Sequence, residues 1–186
     1  MNEQKLFMLL LGATPTGRLT EQHDIFFGIA SSLKELVPAI RESWPEAARD
    51  LHIDAYREVT SVNGYKISVR PKTQDAPSGH KLFFLNLGGY QPGEFDEFHY
   101  KVLVPAESSS EAIRYAKTTV FYKQMGFKGA PSHIDEKYGL DVDNFYNVDD
   151  ILPAVFKEKY ELLVEQEEVE APQDDIHLGY FQLHKL

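Results

Sequence analysis

The chain of 186 residues has no cysteine. That excludes a disulfide framework, a thiolate zinc site and a cysteine nucleophile, and it removes any argument for an oxidising compartment. Basic residues are in short supply: 19 Lys and Arg stand against 29 Asp and Glu, a formal charge of −10. Nucleic acids and anionic bilayers are held by clustered Lys and Arg, so neither is an expected partner. Long apolar runs are missing too. Leu6–Leu11 is too short to span a bilayer, and the first residues have neither the flanks nor the length of a signal peptide. The expected setting is a reduced cytoplasm. There is no Gly-rich phosphate loop, no G-x-S-x-G and no H-E-x-x-H. Aromatic residues are common but are not interleaved with a basic patch, so they read as core.

What the chain does have is repetition. Lys5-Leu6-Phe7-Met8-Leu9-Leu10-Leu11-Gly12 returns as Lys81-Leu82-Phe83-Phe84-Leu85-Asn86-Leu87-Gly88. The register holds without a gap, so that Gly17 falls on Gly93, Glu21 on Glu97 and His23 on His99. Ser32-Leu33-Lys34-Glu35 falls on Ser108-Ser109-Ser110-Glu111, and both tetrapeptides read as capping boxes. His52-Ile53-Asp54 recurs as His133-Ile134-Asp135, five positions out of register, which a longer helix and loop account for. The expectation is an internal duplication in an α+β fold: two pseudo-equivalent β-β-α-β repeats, about 5–72 and 81–186, in one compact domain, joined by a polar linker at 72–79. The sheet is expected to be mainly antiparallel, with helices on one face.

Local patterns place the elements. Lys5–Gly12 is apolar on both strand faces, as in a central strand covered on both sides. Ile25–Ala30 is a second buried strand, able to pair antiparallel with the first. Leu33, Leu36, Val37, Ile40 and Trp44 keep one helical stripe, with a kink at Pro38 or a short first turn followed by a restart expected, and a stop at Pro45. Leu51–Val59 alternates, placing His52, Asp54, Tyr56 and Glu58 on a face that reads as solvated. Asn63-Gly64 signals a type I′ hairpin into Tyr65–Arg70. In the second half, Tyr100–Ala106 follows as a strand, and one helix is expected from Ser108 to about Met125, stopped by Gly126 and Gly129-Ala130-Pro131. Asp141–Asn147 reads as irregular, Asp149–Tyr160 as a short helix, and Glu161–Glu165 and Ile176–Leu183 as strands.

Candidate chemistry lies in the polar residues that recur. Each half carries Glu-x-His at the start of its second strand, Glu21 with His23 and Glu97 with His99, and residues two apart in an extended segment point the same way. Each half also carries His-x-Asp: His52 with Asp54, and His133 with Asp135. With no thiolate available, His and carboxylate are the ligands suited to zinc, iron or manganese. The candidate cofactor is therefore a divalent metal on Glu21, His23, Glu97 and His99. A His beside a carboxylate is also an oriented general base. The competing interpretation is structural: a Glu or His at a strand entrance hydrogen-bonds its own loop. Arg18 offers a guanidinium suited to clamping a carboxylate or phosphate, whereas the matching loop Gly93–Glu97 is acidic.

Glu21–Gly28 (EQHDIFFG) and His52–Val59 (HIDAYREV), with Leu11-Gly12, Gly17-Arg18, Ser32-Leu33-Lys34 and Trp44-Pro45, resemble the bacterial domain-of-unknown-function family 1543. The resemblance covers most of residues 5–70 and more loosely the second half. It implies a small cytoplasmic bacterial protein and no particular activity. The favoured function is a protein that binds a small ligand or protein partner between the repeats. The alternatives are a metal-dependent enzyme using the same residues, similar in architecture only to metalloenzymes built from paired β-α-β-β-β modules, and a purely structural homodimeric module.

Overall fold

The computed structural model describes residues 3–47, 50–73, 79–126, 128, 132–134, 145–169 and 171–186. Asp135, Gly129, Ala130, Pro131, positions 74–78 of the expected linker and 141–144 of the expected irregular stretch lie outside the described residues. The fold is α+β, with antiparallel strand pairing throughout the described sheets. The chain divides into two compact units, 1–76 with 151–186, and 77–150.

In the first unit, β1 (Lys5–Ala13) and β2 (Gln22–Ala30) form a hairpin. Helix α1 (Leu33–Ser43) follows, then β3 (His52–Val59), β4 (Ser61–Val62) and β5 (Tyr65–Pro71). In the second unit, β6 (Lys81–Gly89) and β7 (Phe98–Ala106) form a hairpin, followed by α2 (Ser109–Ala116), α3 (Val120–Gln124), β8 (His133–Ile134), β9 (Tyr146–Asn147) and α4 (Val148–Ile151). The chain then returns to the first unit with α5 (Ala154–Lys157), β10 (Tyr160–Gln166) and β11 (His177–Gln182). One sheet has the order β11-β3-β1-β2, a second β10-β5-β4, and the sheet of the second unit β7-β6-β8, with β9 also pairing β6.

The apolar first strand is central, as its composition requires: β1 lies between β2 and β3. Phe7, Leu9 and Leu11 are buried on one face, together with Leu36 and Ile40 of α1 and Ile53 of β3. On the other face, Met8 and Leu10 are only half-buried. The two hairpins pair in matching register. Lys5 faces Ala30 as Lys81 faces Ala106, and Gly12 faces His23 as Gly88 faces His99. The third strands match as well, since Gly12 faces His52 and Gly88 faces His133. In the second unit, Phe83, Leu85 and Leu87 pack with Val104, Ala112 and Ala116.

Several local expectations need correction. Helix α1 runs through Pro38 to Ser43 without interruption. Ser32 stands at its N-cap but makes no side-chain cap bond. Glu35 instead accepts from Ser31, at 2.9 Å from both the backbone N and Oγ. The Ser108 box does form on its serine side: Ser108 Oγ accepts from the Glu111 N–H at 3.3 Å. The helix expected to reach Met125 is two helices. Thr118 and Thr119 turn their hydroxyls onto the carbonyls of Tyr115 and Ala116, and Thr119 Oγ1 then caps α3 by accepting from Tyr122 N. The helix expected over Asp149–Tyr160 is likewise broken at Leu152-Pro153, where proline cannot supply an N–H and biases its predecessor away from helix. Asn63 (φ 50°) and Gly64 (φ 79°) form the expected hairpin turn between β4 and β5.

Candidate functional site

Three adjacent strands bring the site together. Gly12, near the end of β1, faces His23 on β2 and His52 on β3. The register of β1 against β3 shifts between Leu10 and Leu11, so Leu11 faces Ile53 and Leu10 faces Ala55. Asp54 is the extra residue of this bulge, and bulges re-aim side chains next to functional sites. Glu21 enters from the β1–β2 loop, one residue before β2.

The side chains converge on one point. His52 Nε2 is 3.1 Å from Glu21 Oε1 and 3.2 Å from Asp54 Oδ1. His23 Nε2 is 3.2 Å from Asp54 Oδ2 and 3.6 Å from Glu21 Oε2. Glu21, His52 and Asp54 each offer a donor atom within 4.8 Å of the others. Donors about 2.0–2.1 Å from a tetrahedral metal ion stand roughly 3.3 Å apart, close to the 3.1 and 3.2 Å that separate His52 Nε2 from its two carboxylate neighbours. The ring of His52 is almost wholly buried, with 5% of its side chain exposed, while Glu21 and His23 remain over 40% exposed. The cluster is therefore walled on the His52 side and open to solvent on the other. Tyr180 of β11 packs on the His52 ring at a centroid distance of 4.2 Å.

The tautomer of His52 follows from its neighbour. Its Nδ1 lies 2.8 Å from the Asp50 carbonyl oxygen. A carbonyl only accepts, so Nδ1 carries the hydrogen, and in the neutral ring Nε2 is left with a lone pair. That Nε2 and Asp54 Oδ2 are both buried without a hydrogen-bond partner. The ion-pair distances are short, yet no donor is aligned along them. A lone pair facing two carboxylates calls for a cation. The space for one exists because residue 12 is glycine: a Cβ there would stand 2.7 Å from His52 Nε2 and closer still to Asp54 Oδ2.

The other candidates are placed differently. Arg18 is exposed in the turn 15–18, closed by its N–H donating to the Pro15 carbonyl. Glu97 accepts from Tyr90 Oη at 2.6 Å, a contact within its own loop. His99 is exposed on β7. His133 lies opposite Gly88 on β8, the register position of His52, while Asp135 is outside the described residues. The face of β3 expected to be solvated is the one that builds the site: His52 is 4% exposed, because β11 pairs with β3 and brings Tyr180 over it. Sequence reasoning missed Gly12, Asp50 and Tyr180. Of these only Gly12 left a signal, as a glycine inside a strand where close approach is needed.

Residues 18–69 match the family model described as Domain of Unknown Function (DUF1543), a span that contains Glu21, His23, His52 and Asp54. Both runs that carried the sequence resemblance fall inside it. Among solved structures, the chain is similar to the crystal structure of a protein Il1583 from Idiomarina loihiensis. The two are 26% identical with a TM-score of 0.60, over 97% of this chain and 98% of that one. No curated protein matches. Among the described residues, no helix is long and apolar enough to cross a membrane.

Proposed function

We propose that this chain, which carries the DUF1543 domain over residues 18–69, holds a divalent transition-metal ion in its first unit. Glu21, His52 and Asp54 are the ligands, and His23 stands at the solvent side to complete or guard the coordination sphere. The observation that carries the reading is His52 Nε2: buried, tautomer-fixed, unpartnered and faced by two carboxylates. Imidazole and carboxylate together suit zinc, manganese or iron. The Nδ1–H bond to a backbone carbonyl is the outer contact that orients metal-binding histidines.

The exposure of Glu21 and His23 leaves a side open for water or a small ligand, as in catalytic rather than closed structural sites. A metal ion there would supply Lewis acidity to what binds beside it. His23, 3.2 Å from Asp54, is the oriented side chain able to move a proton. All four side chains come from one unit, so the reading requires neither a second subunit nor a nucleic acid. The test is metal analysis of protein purified without chelator or affinity tag, followed by zinc and manganese titration of the dialysed protein. Near-stoichiometric metal lost in His52→Gln supports the proposal. Metal-free protein that takes up neither ion overturns it, and leaves the four side chains as a purely structural cluster.

A further inference from the structure

A second site lies on the other side of β2. Asp24 follows His23 in the strand and therefore points to the opposite face. There, where the last turn of α1 lies against β2, a cavity of ≈ 470 Å³ opens, closed on its third side by residues 151–155. The volume falls in the range of small-molecule sites, roughly 300–1,000 Å³. Most of its lining residues are apolar, Phe26, Trp44 and Val155 among them. Its charged groups are both carboxylates, Asp24 and Glu42, and among the described residues no Lys, Arg or His lines it. The C-terminal end of α1, the negative end of its dipole, forms one wall. Arg41, in the same turn, is not part of the lining.

We infer that this cavity binds an organic monocation: a protonated amine on a compact apolar body. The apolar body fits the apolar lining residues, and the ammonium meets Asp24 and Glu42 beside Trp44, the indole being the strongest of the aromatic cation acceptors. Asp24 and Glu42 are exposed, so each contributes modestly. Their joint effect is selectivity for charge more than high affinity. No side chain of this cavity belongs to the metal cluster, so the inference stands independently of it.

Trp44 is the only tryptophan of the chain, which makes its fluorescence a direct reporter. The experiment titrates dialysed protein with phenethylamine, with the neutral 2-phenylethanol and with the anionic phenylacetate. Phenethylamine is expected to give a saturable change with a Kd of about 1 mM, a modest efficiency for a ligand of its size. It should bind about ten times more tightly than the alcohol, with phenylacetate weakest. In Asp24→Asn/Glu42→Gln the amine should fall to the level of the alcohol, while unchanged alcohol binding shows that the cavity is intact. Equal binding of amine and alcohol by the wild type overturns the inference. So does an amine preference that survives the double substitution, or the absence of a saturable Trp44 response.

Discussion

Replacing Gly12 by alanine separates a metal site from a merely structural cluster. The new Cβ would stand 2.7 Å from His52 Nε2, inside the 3.0 Å that real Cβ contacts essentially never cross, so His52 must retreat by a few tenths of an ångström at least and by about 0.7 Å to regain ordinary contact. Asp54, closer still, must retreat further. Ligand distances in metal sites hold to about 0.2 Å, so the displacement exceeds what coordination tolerates. The atoms that move are ends of side chains, and Gly12 has no positive φ, so the backbone accepts alanine. Alanine in a strand is favoured over glycine by about 0.5–1 kcal/mol, which offsets part of the rearrangement. The expected result is a metal-free melting transition within a few degrees of wild type, with zinc affinity at least 100-fold weaker, beyond the about 10–100-fold cost of losing an outer-shell partner. Competition against a chromophoric chelator measures the second quantity and circular dichroism the first. Wild-type zinc affinity in Gly12→Ala would refute the assignment of His52 and Asp54 as ligands.

Three further outcomes follow from single contacts. Ser108→Ala should cost about 1 kcal/mol in chemical denaturation, through loss of the bond to Glu111 N, while Ser32→Ala should cost a small fraction of that because Ser32 makes no cap bond. Asp174 accepts from the backbone N–H groups of Thr60 and Ser61 and from Thr60 Oγ1, so Asp174→Ala should destabilise by about 1.5 kcal/mol and increase hydrogen exchange at Thr60 and Ser61. Burial alone would raise the pKa of Glu161, but hydrogen bonds from Thr73 and Arg70 outweigh it and hold the carboxyl below its ordinary value of 4.5. The stability this gives is present above the unfolded value and is lost as pH falls through the folded one. Glu161→Gln should thus be less stable than wild type at neutral pH and should show a flatter loss of stability below about pH 4.5.

Much of the fold was legible because it rests on local chemistry. The doubly apolar run at Leu6–Leu11 marked a central strand, and Asn63-Gly64 marked the turn between β4 and β5. The breaks at Thr118-Thr119 and Leu152-Pro153 were not legible in the periodicity: in the first, two hydroxyls take carbonyls that the helix would use, and in the second, a single proline interrupts an otherwise helical stretch. The site was half legible. Glu21, His23, His52 and Asp54 were singled out by residue type and spacing, but their grouping was not. Two long-range facts decide it, the pairing of β3 beside β1 and the cover supplied by β11, and neither leaves a trace in the local pattern of His52-Ile53-Asp54. Alternation alone placed His52 in solvent; Tyr180, more than a hundred positions along the chain, puts it under cover.

The return of the chain from the second unit to the first has a consequence for the order of events during synthesis. The sheet that holds the site takes its outermost strand from His177–Gln182, whereas the second unit is complete by Asp150. Chains emerge from the ribosome N-terminus first, and compact units form as they become available. The inserted unit is therefore fully synthesised while its host still lacks β10 and β11. Until those strands arrive, β3 has an open edge and His52 is uncovered, so nascent chains arrested before residue 177 would expose the imidazole and two carboxylates to whatever metal is at hand.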